Sequence, residues 1–170
     1  MTATHTTIGE GEPARSVRAV LFVCTGNTCR SPLAEALCKV MLATRLNCQP
    51  DQLESRGFQI RSAGLMAYVG DLASPQATEV AQELTCDLAR HCSQPVSAEL
   101  LSQATDVITM TRSHLQALVY RFPEVGPPPQ LLCDNLDLQD PIGGELDEYR
   151  ECAATIKKSL NKYLSEWLGT

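Results

Sequence analysis

Cys24 and Arg30 stand with five residues between them in the run Cys24-Thr25-Gly26-Asn27-Thr28-Cys29-Arg30-Ser31-Pro32. A thiolate is a strong nucleophile, and a guanidinium is a planar fork that matches two oxygens of a tetrahedral anion. A loop of this size that curls into a helix N-terminus aims successive N–H groups at one centre. The spacing therefore predicts a phosphate dianion held by the Thr25, Gly26, Asn27, Thr28, Cys29 and Ser31 segment and by Arg30. Gly26 is expected to free the backbone for the curl, and Asn27 tolerates a left-handed conformation. The same positive field favours an ionised sulfur, because helix N-termini and cations lower a thiol pKa from its usual ~8.5. Ser31 can donate a hydrogen bond to that sulfur and make it a better leaving group.

Such a loop needs a rigid strand before it and a helix after it. Residues 17–23 form a short apolar run rich in β-formers, which predicts a buried strand ending at Cys24. After it, Leu33, Leu37, Val40, Met41 and Thr44 recur at helical spacing, with Ser31 as expected N-cap and Pro32 as first helical residue. Further strands are predicted at 57–62, 106–110 and 130–133, with helices from Ser74-Pro75 toward Leu84 and over 112–120. The rigid loop 126–129 precedes the fourth strand. Leu146, Tyr149, Ala153, Ile156, Leu160, Tyr163, Leu164 and Trp167 mark one amphipathic C-terminal helix.

Strands alternating with helices imply an α/β fold: a single domain over 17–170 with a four-stranded parallel sheet and helices on both faces. Ligands of such sheets sit at the carboxyl ends of the strands, where Cys24 falls. Residues 1–16 are polar and without periodicity, and read as a flexible tail.

Composition narrows the partners. The 170 residues carry a net charge of −6, which argues against a nucleic-acid or anionic-membrane partner. No signal peptide or membrane-length apolar run is present, so the compartment is expected to be cytoplasmic. Cys38, Cys48, Cys86, Cys133 and Cys152 then read as small hydrophobes rather than disulfide partners. With three histidines and no Cys-x-x-Cys pair, no metal site is expected. No cofactor is implied, since thiolate, amides and guanidinium supply the chemistry. The oligomeric state is left open.

The run from Cys24 to Pro32, with Gly-Asn at its centre and Ser-Pro at its end, resembles the phosphate loop of the low-molecular-weight protein-tyrosine-phosphatase family. Ser62-Ala63-Gly64 is similar to the family's second-strand ending, and Asp140-Pro141 to its general-acid loop. The resemblance implies Cys24 as the nucleophile of a phosphocysteine intermediate, Arg30 as phosphoryl binder and Asp140 as acid and then base. It implies Asn27, Ser31, Ser62 and His91 as braces of the loop. It also favours a reversible Cys24–Cys29 disulfide, and with it a redox-sensitive enzyme.

Two positions bear on the substrate, a phosphorylated protein. Thr28 takes the place where tyrosine-selective relatives carry a branched aliphatic residue, and resembles the arginine-phosphatase branch. After Asp140-Pro141 come Ile142, Gly143 and Gly144, where eukaryotic tyrosine phosphatases of the family place aromatic residues and the arginine branch commonly shows Phe-Gly-Gly. Ile142 departs from both patterns and leaves Tyr68 as the aromatic candidate for a pocket wall. Phosphoarginine is thus slightly favoured, with phosphotyrosine next. The rival from another class is a thioredoxin-coupled arsenate reductase, which needs two further relay cysteines. The segment after the third predicted strand, Thr109-Met110-Thr111-Arg112-Ser113-His114-Leu115, holds none. A catalytically silent phosphopeptide-binding module is a third possibility, but nucleophile, arginine and acid are all in place.

Overall fold

The computed structural model describes residues 17–169, so the tail expected at 1–16 lies outside the described residues. At its centre is strand β1 (Arg18–Cys24), flanked by β2 (Phe58–Gly64) and β3 (Asp106–Thr109), with β4 (Gln130–Leu131) on the far side of β3. All pairings are parallel, and the register sets Cys24 beside Gly64 and Val23 beside both Ala63 and Thr109.

Period-two alternation along β1 divides the core. Val20, Phe22 and Cys24 face α1 (Arg30–Arg45), α2 (Pro75–Glu83) and α5 (Leu146–Leu168). Leu21 and Val23 face the opposite layer, built from α3 (Ala98–Gln103) and α4 (Arg112–Arg121) with Leu101 and Leu118. A strand buried on both faces reads as a continuous apolar run, which is why β1 was legible. Helices do cover both faces of the four-stranded parallel sheet.

The predicted C-terminal helix is α5, whose buried face carries Tyr149, Ala153, Ile156, Leu160, Tyr163 and Leu164. Elsewhere the boundaries move. β2 runs on through Ala63 to Gly64, and β4 is only two residues long, with Cys133 in an isolated bridge to Leu136. Two 3-10 turns (Pro50–Gln52 and Glu54–Arg56) and the short α3 were not anticipated.

Helix α1 corrects two expectations. It begins at Arg30 with Cys29 in the cap position, so Pro32 is its third residue and Ser31 is no cap. The Ser31 hydroxyl is buried and used elsewhere. Thr44 is exposed and bonds back to the Val40 carbonyl, while Leu42 and Ala43 supply the buried end of the stripe. Cys38, Cys86 and Cys152 are buried as expected, whereas Cys48 and Cys133 are half-buried.

Candidate active site

β1 delivers Cys24 to the carboxyl edge of the sheet, where the chain turns at once into the loop leading to α1. The thiol is buried, and its sulfur lies 2.9 Å from Ser31 Oγ and 3.3 Å from the Asn27 N–H. Asn27 takes the left-handed conformation, with φ 57. Gly26, by contrast, has no positive φ, so the curl turns on Asn27 rather than on the glycine.

The hydrogen-bond directions around Asn27 can be worked out. Asn27 Oδ1 accepts from the Gln94 N–H at 3.0 Å, which fixes the amide orientation. Asn27 Nδ2 therefore donates to Ser31 Oγ at 2.8 Å and to Ser62 Oγ at 2.9 Å. Having accepted from Asn27, Ser31 retains one hydrogen, and the nearer acceptor is Cys24 sulfur rather than the Ala63 carbonyl at 3.4 Å. Ser62 passes its own hydrogen to Glu35 Oε2 at 2.6 Å, and Lys39 pairs with the other oxygen of Glu35. His91 Nε2 donates to the Asn27 carbonyl at 2.7 Å. Ser62, His91 and Ser31 thus all meet at Asn27. Glu35 and Gln94 complete this shell and were missed. Glu35 had a signal, since it lies one helical turn beyond Ser31 on the face of α1 that meets β2.

Gly64 has a different job. A Cβ there would lie 2.6 Å from the Thr25 carbonyl and 2.9 Å from the Asn27 nitrogen. The end of β2 passes so close beneath the loop that no side chain fits.

Arg30 and Asp140 meet although 110 residues separate them: Arg30 Nη2 donates to Asp140 Oδ2 at 2.5 Å. Arg30 Nη1 also donates to the Leu138 carbonyl at 3.2 Å, and the Ile142 N–H reaches Asp140 Oδ1 at 3.3 Å. The guanidinium is almost wholly buried, while the carboxylate is 39% exposed and opens to solvent. The Cys24 thiol, the Arg30 guanidinium and the Asp140 carboxylate therefore share one edge of the sheet.

The sulfur's protonation is a contest. Burial pushes the Cys24 thiol up from its ordinary value, and this is the largest effect. Hydrogen bonds from the Ser31 side chain and from the Ser31 and Asn27 amides, together with the Arg30 charge, pull it down. The sequence anticipated only the second set. With Arg30 turned toward Asp140, burial leaves the thiol raised rather than lowered.

Thr28 is half-buried, and its carbonyl accepts from Ser74 N–H at 2.8 Å, tying the loop to the start of α2. Cys29 is buried, with its sulfur 3.4 Å from both Ser74 Oγ and the Tyr149 hydroxyl. Burial, and then the contact with Cys29, push the Tyr149 phenol up to about 12. All the described cysteines are free thiols. Thr25 is exposed at the mouth, with its hydroxyl 2.9 Å from His114 Nε2. His114 is a further residue that sequence reasoning missed, although it opens α4 just beyond the carboxyl end of β3. Tyr68 and Ile142 stand exposed, on the loop after β2 and on the acid loop.

Comparison with known proteins places the chain in a family. The family model of low molecular weight phosphotyrosine protein phosphatase matches residues 19–169. The protein-arginine-phosphatase of Bacillus subtilis is 34% identical over 148 residues, covering 84% of this chain and 92% of the relative. The low molecular weight protein-tyrosine-phosphatase PtpB of Staphylococcus haemolyticus is 35% identical over 139 residues, covering 78% and 87%. A solved YwlE arginine phosphatase mutant with a phosphorylated active site serine superposes with a TM-score of 0.77 at 33% identity, over 87% of this chain and 94% of that one. These relatives are phosphatases, and the arsenate-reductase alternative finds no support among them. No helix among the described residues is long and apolar enough to cross a membrane. The chain belongs to the low molecular weight phosphotyrosine protein phosphatase family and is a cysteine-dependent phosphoprotein phosphatase.

Proposed function

We propose that the chain hydrolyses phosphorylated proteins through a phosphocysteine intermediate on Cys24, with phosphoarginine favoured over phosphotyrosine. The observation that carries the covalent route is the hydrogen-bond sequence Asn27 to Ser31 to Cys24, which ends on the sulfur and pulls toward its charged form against the burial that raises the thiol. The phosphorylated serine in the solved YwlE mutant is consistent with a group at that position accepting phosphate.

In the first step the Cys24 thiolate attacks phosphorus in line, so an S–P bond forms as the bond to the leaving nitrogen or oxygen breaks. The loop amides and Arg30 hold the three equatorial oxygens, where transition-state charge develops. Protonated Asp140 gives its hydrogen to the leaving group. In the second step Asp140 takes a proton from water, the oxygen attacks phosphorus, and the S–P bond breaks to release inorganic phosphate and Cys24. Ser31 stabilises the departing thiolate. Thr25, Gly26, Asn27, Thr28, Cys29 and Ser31 form the phosphate-binding segment, with Ser62 and His91 as braces.

The preference for phosphoarginine rests on the pocket's composition. Thr28 offers a hydroxyl rather than a branched aliphatic surface, and Ile142 leaves the acid loop without an aromatic wall to stack on a phenol. Asp140 can contact a guanidinium as well as protonate it. The named relatives include phosphatases for each substrate, at similar identity. Release of phosphate from matched phosphoarginine and phosphotyrosine peptides tests the preference. Thr28→Ile is expected to move the ratio toward phosphotyrosine, and an unchanged ratio overturns the assignment.

A reversible Cys24–Cys29 disulfide belongs to the same proposal: peroxide takes two electrons and two protons from the two thiols, and turnover stops until a thiol reductant restores them. Cys29→Ser should make peroxide inactivation much harder to reverse. Full recovery of that variant with dithiothreitol overturns the disulfide.

A further inference from the structure

His114 sits in the first turn of α4, where the Thr111 side chain caps its amide. Its residue is 6% exposed, and its ring reaches over to the phosphate loop, with Nε2 at 2.9 Å from Thr25 Oγ1. Nδ1 is the one buried side-chain nitrogen or oxygen among the described residues that lacks a hydrogen-bond partner. Leu118 packs α4 into the apolar layer beneath it.

The stranded Nδ1 decides where the proton resides. A neutral imidazole carries one N–H and one lone pair. Placing hydrogen on Nδ1 strands a buried donor, which native proteins rarely tolerate; placing it on Nε2 strands only a lone pair. The second arrangement costs less, so Nε2–H donates and Thr25 Oγ1 accepts. Thr25 then has its own hydroxyl hydrogen free, on an exposed residue next to the nucleophile.

We propose that His114 is a positioning residue that turns the Thr25 hydroxyl outward as an extra hydrogen-bond donor to the phosphoryl group held in the Cys24 loop. The proposal deepens the reading of that loop as a phosphate site and rests on it. Its chemistry is plain: the loop amides and Arg30 are joined by a neutral O–H donor whose direction is set from the other side of the sheet.

The groups around the ring keep the arrangement stable. Burial, and then the Arg30 charge from α1, bring the His114 pKa down to about 4, against the opposing pull of Asp140 and Asp137 from the segment before α5. His114 therefore stays neutral across the range in which an ordinary histidine titrates.

Nitrogen-15 NMR of His114 in the intact, ligand-free protein tests the tautomer without any appeal to activity. The expected spectrum has a protonated Nε2 and a bare Nδ1, unchanged between about pH 5 and pH 8. A proton on Nδ1, or titration near ~6.5, overturns the proposal. Kinetics supply the second arm. His114→Leu and Thr25→Val should each lower kcat/KM about tenfold, and the double variant should be no worse than either. His114→Gln, which can donate from a similar position, should restore most of the loss. A His114→Leu enzyme at wild-type rate, or losses that multiply in the double variant, overturn it. Cys24→Ser that still turns over would instead sink the phosphate-loop reading, a result separable from both arms above.

Discussion

Arg30 and Asp140 are bonded to each other across the mouth of the phosphate loop, with Nη2 and Oδ2 at 2.5 Å. The pair joins the start of α1 to the loop before α5, and it holds the Asp140 carboxylate within reach of whatever Arg30 binds. Asp140→Asn keeps the shape and a hydrogen-bond acceptor but removes the transferable proton. Turnover is expected to fall about a hundredfold to a thousandfold, with inorganic phosphate still inhibiting at a similar concentration. Inhibition lost together with turnover would show that Asp140 shapes the site rather than supplying the proton.

Ser31 is one of the groups that pull the Cys24 pKa down against burial. Ser31→Ala removes that pull and leaves burial in place, so the thiol pKa must rise. Iodoacetamide labelling of Cys24 followed against pH should show its midpoint move upward in the variant. A midpoint that stays put would mean that the hydroxyl donates to the Ala63 carbonyl instead.

Gly64 admits no side chain beneath Thr25 and Asn27. Gly64→Ala forces the end of β2 and the loop apart, at a cost of about 1–3 kcal/mol in urea-unfolding stability. Activity should fall further than stability explains, because the displaced atoms belong to the loop itself. Substitution at Gly143, where an added Cβ meets nothing within 4 Å but φ is +79, serves as a comparison with backbone strain alone.

His114 also ties stability to pH. Its folded pKa of about 4 lies below the ordinary 6.5, so the unfolded chain binds more protons between those values. Its contribution is fully present above about pH 6.5 and is lost progressively as the pH falls toward 4. His114→Gln cannot titrate, so the difference in unfolding free energy between wild type and variant should shrink in favour of the variant as the pH falls through that window. A difference constant from pH 7 to pH 4 would contradict it.

The sheet and the loop were legible in the sequence for separable reasons. β1 is buried on both faces from Val20 on, so its residues after Arg18 read as an uninterrupted apolar run, and α5 keeps a clean helical stripe over 23 residues. Cys24 and Arg30 are close in the chain, so spacing alone suggested their partnership. What stayed hidden depends on long-range geometry or on how one polar atom is satisfied. Ser31 looked like a cap because serine followed by proline commonly is one, yet the Asn27 and Cys24 contacts claim its hydroxyl. Gly26 was credited with the curl that Asn27 makes. The thiol was expected to be lowered, because a sequence displays helix starts and arginines but not depth of burial. His114, Glu35 and Gln94 come from three different segments; Glu35 alone had a local signal, one helical turn beyond Ser31, and nothing local marks the other two as neighbours of the loop.

Asn27 offers one last consequence. Its side-chain amide and its carbonyl are engaged by residues 35, 64 and 67 positions away, through bonds made wholly within the chain. The anion's receptacle is therefore assembled by folding and not by its guest, so little ordering entropy is left to be lost on binding. Small, featureless oxyanions should consequently fit nearly as well as phosphate attached to a protein, and selectivity must come from whatever lies beyond the fourth oxygen.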